Sequence, residues 1–220
     1  LLEKAGLQFN GAGPLLIQID AARNRLVTAN TLSSSVSVID GETGEVVNIP
    51  IAGRAYQHIK SEALTISAKT GRIYLIGRNC FYVVDPDTRS SRQIETAVQF
   101  ESIAVDEASG NVFIAGRESR ELGFYEASSR KLRMLGWAET EETLVNLNAT
   151  PPPPVRKVVA DRSLGSIVAV DGIEPTITVF DGTSGKRKRS RPIELSAGGR
   201  WHLGGYNETS HHLYLVVETT

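Results

Sequence analysis

The sequence predicts an all-β protein that is assembled from a repeated four-stranded unit, and three observations support this prediction. A frame of apolar residues around a short turn recurs five times along the 220 residues. Apolar and polar residues alternate within the frame, which is typical of strands. Successive copies lie 39 to 55 residues apart, and this spacing is typical of the blades of a β-propeller.

The first half of each copy predicts a tight hairpin. Apolar residues stand three and one positions before an anchor residue, and a second strand begins after four spacer residues. The anchors are Asp20, Ser67, Asp106, Asp161 and, in a weaker copy, Asn207. The last spacer residues are Asn24, Gly71, Gly110, Gly165 and His211. Gly and Asn tolerate the positive φ that such a hairpin requires.

The second half of each copy predicts a third strand, a polar turn and a fourth strand. The third strands end at Asp40, Asp85, Glu126 and Asp181. A carboxylate at the start of a turn accepts backbone N–H bonds. Because the carboxylate recurs in every blade, we assign it a turn role rather than a catalytic one. The fourth strands are predicted at residues 46–51, 92–98, 132–137 and 193–195.

The repeat predicts a single propeller of four complete blades with partial blades at both ends. The complete blades are expected at residues 14–55, 56–100, 101–137 and 155–200, with an insertion at 138–154. Residues 1–13 are expected to form the outer strand of a preceding blade, and residues 201–220 the first half of a further blade. A β-sandwich would not repeat the hairpin frame five times, and a β-helix would have a shorter coil, so both alternatives fit less well.

These repeats resemble the YVTN family of β-propeller repeats. The segments RLVTAN at Arg25–Asn30 and VSVIDGETGEVV at Val36–Val47 match the two family elements closely. RIYLIG, NVFIAG, SIVAV and HLYLVV match the first element more loosely, and FYVVDPDT and TVFDGTSG match the second. NHL-repeat propellers are a near alternative. The resemblance implies a ring of six to eight blades, so we expect this chain to be part of a larger ring or one chain of a split ring. It also implies a secreted, periplasmic or cell-surface location.

Composition excludes several classes of function. The chain carries 24 Lys and Arg residues against 25 Asp and Glu residues, for a net charge of -1, so we expect no nucleic-acid partner. The longest apolar runs have five residues, so we expect no membrane span. The single cysteine excludes an internal disulfide and a cysteine-based zinc cage, and we predict no metal site and no cofactor.

Six residues in loops between strands or blades are candidates for ligand binding. They are Arg54, His58, Arg78, Arg117, Arg200 and His202. Guanidinium groups that share a funnel favour a carboxylate or a phosphate, and a neutral imidazole there would serve as a general base. The alternative interpretation is that these are solvated loop residues. No residue is assigned a catalytic role, because no Gly-x-Ser-x-Gly frame or phosphate loop is present.

The basic run Lys186–Arg191 has two interpretations. It is either a nuclear or anionic-surface signal or a solvated edge at an outer hairpin whose positive charge opposes strand pairing. For the whole chain we predict a non-catalytic recognition or scaffold module that binds a protein partner or an anionic small ligand on one face. The alternatives are a lactonase-like or quinone-dependent amine-dehydrogenase-like enzyme, and an assembly subunit whose blades are completed by another chain.

Overall fold

The computed structural model of the protein describes residues 13–51, 63–96, 98–116, 121–136, 155–171, 176–193 and 200–218. In this part of the chain, strands form four sheets of four strands and one sheet of two strands. Every sheet is antiparallel, and its strands follow one another in sequence order. The predicted all-β fold of four-stranded blades is therefore confirmed, and each sheet is called a blade below.

The chain divides into two compact units, Leu1–Ala97 and Val98–Thr220. The first unit contains two blades. The first blade comprises β1 (Pro14–Asp20), β2 (Arg25–Asn30), β3 (Ser35–Asp40) and β4 (Val46–Pro50), with a 3-10 turn at Ala21–Arg23. The second blade comprises β5 (Leu64–Ile66), β6 (Ile73–Gly77), β7 (Cys80–Asp85) and β8 (Ser90–Glu95). The predicted outer strand at residues 1–13 lies, up to residue 12, outside the described residues.

The second unit contains two further blades and a hairpin. The third blade comprises β9 (Ser102–Val105), β10 (Val112–Ala115), β11 (Glu121–Glu126) and β12 (Lys131–Gly136). The fourth blade comprises β13 (Val155–Asp161), β14 (Ser166–Asp171), β15 (Thr176–Asp181) and β16 (Arg187–Pro192). The hairpin comprises β17 (Arg200–Asn207) and β18 (His212–Glu218). The predicted insertion at 138–154 lies outside the described residues.

Apolar side chains from facing sheets form the core of the second unit. Phe113 on β10 is fully buried, and its ring lies 4.9 Å from that of Phe124 and 6.3 Å from that of Phe180 on the fourth blade. Ile167 and Leu122 are buried in the same cluster. Burying such side chains is the main favourable term in folding, so the third and fourth blades are held together chiefly by this layer.

The first-hairpin turns have the backbone conformation that the sequence predicts. Positive φ angles occur at each last spacer residue, namely Asn24, Gly71, Gly110, Gly165 and His211. Four of these positions carry Gly or Asn, which adopt this conformation at low cost. His211, with a φ of 55°, is the exception, and its side chain has a special partner that is described below.

One predicted strand was placed wrongly. The outer strand of the fourth blade was expected at residues 193–195, after the basic run, but the structure shows that the basic run itself forms β16. The reason is a tight turn, because Asp181 N–H bonds to the Lys186 carbonyl at 2.8 Å and Gly185 adopts a φ of 70°. The outer strand of the fourth blade therefore begins directly after Lys186, and the turn does not extend through the basic run.

No helix in the described residues is long and apolar enough to cross a lipid bilayer.

Candidate functional site

The structure describes the side chain of only one of the six predicted ligand-binding residues. Arg78 lies in the two-residue turn between β6 and β7, and its side chain is exposed. Arg54, His58 and Arg117 lie outside the described residues. Arg200 and His202 lie on β17, where only their backbone is described. The anion site that these residues would form therefore stays a prediction.

The turn role that the sequence predicts for the recurring carboxylates is confirmed. Asp40, Asp85 and Asp181 each accept the backbone N–H group of the residue three positions later, at 2.7 to 3.1 Å. Glu126 instead accepts a bond from the hydroxyl group of Ser129. Hydrogen bonds stabilise the ionised form of a carboxylate. The backbone N–H and hydroxyl groups of Thr43 lower the pKa of Asp40, and those of Ser184, together with Lys188, lower the pKa of Asp181 to about 2.

A buried carboxylate, Asp161, joins two hairpins of the second unit. It lies at the end of β13, and its side chain is 1% exposed. Its Oδ1 atom accepts bonds from the Ser163 hydroxyl at 2.8 Å and the Leu164 backbone N–H at 3.1 Å. Its Oδ2 atom accepts bonds from the Tyr206 hydroxyl and, at 2.9 Å, from Nδ1 of His211. We call Asp161, Tyr206 and His211 the Asp161 clamp.

The turn between β17 and β18 positions the two donors of the clamp. Asn207 ends β17 and accepts the backbone N–H groups of Thr209 and Ser210 at 3.0 and 3.1 Å. This capped turn leads into His211, which has left-handed backbone. Tyr206 is the penultimate residue of β17. A fixed turn between the two donors therefore presents both of them to a single carboxylate on the adjacent blade.

The pKa shifts within the Asp161 clamp indicate a structural role. Burial raises the pKa of Asp161, but the hydrogen bonds from Tyr206, Ser163, Leu164 and His211 outweigh it and lower the value to about 2. Burial, together with the Asp161 carboxylate, raises the pKa of Tyr206. A general acid or base works best with a pKa near the working pH. Asp161 stays ionised and Tyr206 stays protonated near neutrality, so neither group exchanges protons there.

The repeat pattern marks Asp161 as an anchor but does not predict its partners. The signal was a departure from the repeat. In the first four copies the residue before the anchor is apolar or small, as in Ile19 and Val105, whereas the fifth copy has Tyr206. The last spacer residue is likewise Gly or Asn in four copies but His211 in the fifth. Two polar replacements on one hairpin indicate a shared partner.

In the first unit an arginine joins the corresponding turns of the two blades. Arg23 ends the 3-10 turn after β1, and its guanidinium group donates to the carbonyl groups of Ala68 and Lys69, both at 2.9 Å. The same group lies 3.4 Å from the buried Asp20 carboxylate. Gly71 leaves room for this side chain, because a Cβ atom there would lie 2.8 Å from Arg23 Nε.

Asn111 performs a similar role in the second unit, and its loss is expected to destabilise the protein by about 1.5 kcal/mol. Its Nδ2 atom donates to the Thr183 carbonyl of the fourth blade at 2.8 Å, and its Oδ1 atom accepts the Ala127 N–H at 3.0 Å. Asn111→Ala leaves these partly buried hydrogen-bonding groups without their partner. Urea unfolding measures the loss, with Ser129→Ala as an exposed control that should cost less than about 0.5 kcal/mol. Equal losses in the two variants would contradict the role of Asn111.

A polar groove of about 350 Å³ lies in the first unit, between the first blade and the turn after β7. Its charged lining residues are Arg25, Asp40, Glu45, Asp87 and Arg89. Arg25 and Asp87 form an ion pair at 3.5 Å. Because two arginines and three carboxylates line the groove, it presents charges of both signs to a ligand. No cluster of three or more metal-binding side chains occurs among the described residues.

Solved structures with a similar fold are propeller-type proteins. One of them is hydrazine synthase from Kuenenia stuttgartiensis. The match covers 90% of this chain and 54% of the hydrazine synthase chain, with a TM-score of 0.62 and 15% sequence identity. The architecture of this chain is that of a β-propeller. This assignment agrees with the four-stranded antiparallel blades described above.

Two further structures show the same likeness. Apo AztD from Citrobacter koseri has a TM-score of 0.57 and 15% identity, over 83% of this chain and 47% of its own. U3-55K has a TM-score of 0.56 and 12% identity, over 82% of this chain and 52% of its own. The β-propeller chain thus spans about half the length of the structures it resembles. No protein-family model and no curated protein matches the sequence, so the comparisons establish the fold alone.

Proposed function

We propose that this β-propeller is a non-catalytic recognition or scaffold module built from YVTN-type repeats, which binds a protein partner or an anionic small ligand on one face. A secreted, periplasmic or cell-surface location is part of the proposal. The resemblance of Arg25–Asn30 and Val36–Val47 to the YVTN elements supports the repeat type. The function rests on a separate observation about the ionisable groups.

The observation that carries the proposal is that the buried carboxylates of the described residues are engaged within the scaffold. Asp20 lies against Arg23, Asp106 accepts the Ser109 N–H at 3.0 Å, and Asp161 is held in its clamp. A carboxylate that acts as a general acid or base must face the substrate and titrate near the working pH, and a nucleophilic carboxylate must also face the substrate. Groups that are buried and hydrogen-bonded to turns serve stability, which favours a scaffold over an enzyme.

The alternative, a lactonase-like or amine-dehydrogenase-like enzyme, requires a set of ionisable groups at the mouth of the propeller's central channel that no other blade repeats. His202 and Arg200 on β17 are the predicted residues that would have to supply it. The two proposals therefore differ in what these side chains do. A recognition module uses them to hold a ligand unchanged, whereas an enzyme uses them to convert it.

The test combines turnover and binding assays on the complete chain. We expect the wild type to hydrolyse simple lactones, and to oxidise primary amines in a dye-coupled assay, no faster than the His202→Ala variant does. Titration calorimetry with citrate and with inorganic phosphate is expected to give saturable binding that Arg200→Ser weakens. Turnover that the wild type shows and His202→Ala lacks would contradict the recognition function and support the enzyme.

A further inference from the structure

The outer strand of the fourth blade differs in composition from the outer strands of the other blades. Strand β4 has no charged residue, β8 has one Arg and one Glu, and β12 has one Lys and one Arg, whereas β16 has three Arg and one Lys. Strands β4 and β12 each place an apolar residue in the core, Ile49 and Leu135. No residue of β16 does so. Packing within the blade therefore does not explain the composition of β16.

Charge within the blade explains only part of this basic strand. The ammonium group of Lys188 lies 3.1 Å from the Asp181 carboxylate and 3.1 Å from the Ser166 hydroxyl, and Arg187 has a contact within the protein. Arg189 and Arg191 are exposed and form no ion pair with any residue in the described ranges. A single lysine is enough to protect a strand edge from pairing, so these two arginines exceed what protection requires.

Strand register places the two arginines on one face. Arg189 lies opposite Val179 and Arg191 lies opposite Ile177 on β15, and residues two positions apart on a strand point the same way. Their side chains therefore emerge about 6.6 Å apart. An extended peptide repeats its side chains at the same interval, so alternate carboxylates in the peptide match alternate guanidinium groups in the strand. Each such pair can form two parallel hydrogen bonds.

We propose that Arg189 and Arg191 dock an extended acidic peptide segment of a partner protein, which deepens and rests on the recognition function proposed above. The side chains carry the contact. A register shift at Lys188 and the lack of an N–H group on Pro192 hinder the addition of a further strand to the sheet edge. Arg189 and Arg191 thus recognise the peptide chiefly through its carboxylates rather than through its main chain.

Two observations favour a peptide over a nucleic acid. The strand contains no aromatic side chain on which bases could stack. The carboxylate of Asp181 lies beside Lys188, and the chain as a whole has a net charge of -1, so a continuous row of phosphates would meet repulsion as well as attraction. A peptide can place its carboxylates selectively at the two exposed arginines, which form no ion pair within the described ranges.

The test measures binding of a fluorescent ten-residue peptide that alternates Glu and Thr, by anisotropy at 50 mM salt. A peptide of the same composition with its five Glu residues in one block is the pattern control. We expect the alternating peptide to bind more tightly than the block peptide, and to lose roughly tenfold in affinity when Arg189 and Arg191 are both replaced by Ser. Arg92→Ser on the exposed outer strand β8 is the matched protein control and should change affinity by less than about twofold.

Several results would overturn the proposal. They are equal binding of the two peptides, an unaffected R189S/R191S double variant, and tighter binding of a ten-residue oligothymidine than of the alternating peptide. Because both arginines are exposed, circular dichroism should show an unchanged fold in the double variant. If no peptide binds while citrate or phosphate still binds without turnover, the docking inference fails and the recognition function stands. Turnover lost in His202→Ala would reject the recognition function, whatever the peptide does.

Discussion

Asp161→Ala is expected to lower the free energy of unfolding by about 3 kcal/mol, which is the largest effect of any substitution considered for this protein. The carboxylate is 1% exposed and is the common acceptor for Tyr206, His211, Ser163 and Leu164. Removing it leaves several donors without a partner at once. Hydrogen bonds to an ionised acceptor contribute more than bonds between neutral groups, and for this reason the expected loss exceeds that of Asn111→Ala.

The damage should be concentrated in the hairpin of β17 and β18. The clamp connects this hairpin to the turn between β13 and β14, and the pair formed by Arg162 and Glu208 at 3.7 Å is a largely exposed second connection. Exposed ion pairs contribute little. Urea unfolding gives the total loss, and hydrogen exchange by mass spectrometry should show faster exchange in residues 200–218 than in β9 and β10.

Asn207→Ala is the matched control for this prediction. Asn207 lies on the same hairpin and accepts two backbone N–H bonds, but it caps an exposed turn. Its loss is expected to cost about 1 kcal/mol or less, because water can replace the missing bonds. If Asp161→Ala lowers the free energy of unfolding no more than Asn207→Ala does, the Asp161 carboxylate does not hold the hairpin, and the short distances in the clamp do not stabilise the protein.

Local sequence signals predicted the blades well because strand periodicity and turn chemistry act over a few residues. The positive φ angles at Asn24, Gly71 and Gly110 are consequences of hairpins that only a few residue types can close. The capping of turns by Asp40 and Asp85 follows in the same way, since acceptor and donor are three positions apart. Such features are encoded within a single hairpin.

The features that sequence analysis missed depend on contacts between distant residues or on competing local signals. Asp161 and His211 are 50 positions apart, and no local pattern pairs them. The position of the basic run Lys186–Arg191 directly after the turn sequence DGTSG predicts an outer hairpin, whereas pairing with β15 makes the run a strand. Hydrogen bonding to a neighbouring strand overrides a low intrinsic strand propensity most easily at an exposed sheet edge, because an edge strand needs no core residue. The ligand residues in the loops depend on the relative placement of several blades, and a repeat pattern does not contain that information.

Acid is expected to weaken the protein by about 2 kcal/mol through Asp161 alone. The pKa of this carboxyl group is about 2 in the folded protein, against an ordinary value of 3.8. A folded pKa below the unfolded value means that the unfolded chain binds the proton more readily. The stabilisation is therefore fully present above about pH 4 to 5, and it is lost as the pH falls towards 2.

A comparison with Asp161→Asn separates this effect from the other carboxylates. Asp181 also has a lowered pKa of about 2, but it is present in both proteins, so its contribution cancels in the difference. Asparagine has nearly the shape of a protonated aspartic acid but does not ionise. The wild type should therefore be more stable than Asp161→Asn at pH 5 by about 2 kcal/mol, and the two should converge as the pH approaches 2.

Urea midpoints measured at pH 5, 4, 3 and 2 on both proteins give this difference directly. A difference that stays constant over the whole range would show that the stabilisation does not depend on the charge of Asp161. In that case the clamp would act through shape and neutral hydrogen bonds alone. A difference that grows towards low pH would reverse the sign required by a lowered pKa, and would mean that the buried carboxyl group is held as a neutral acid rather than as an anion.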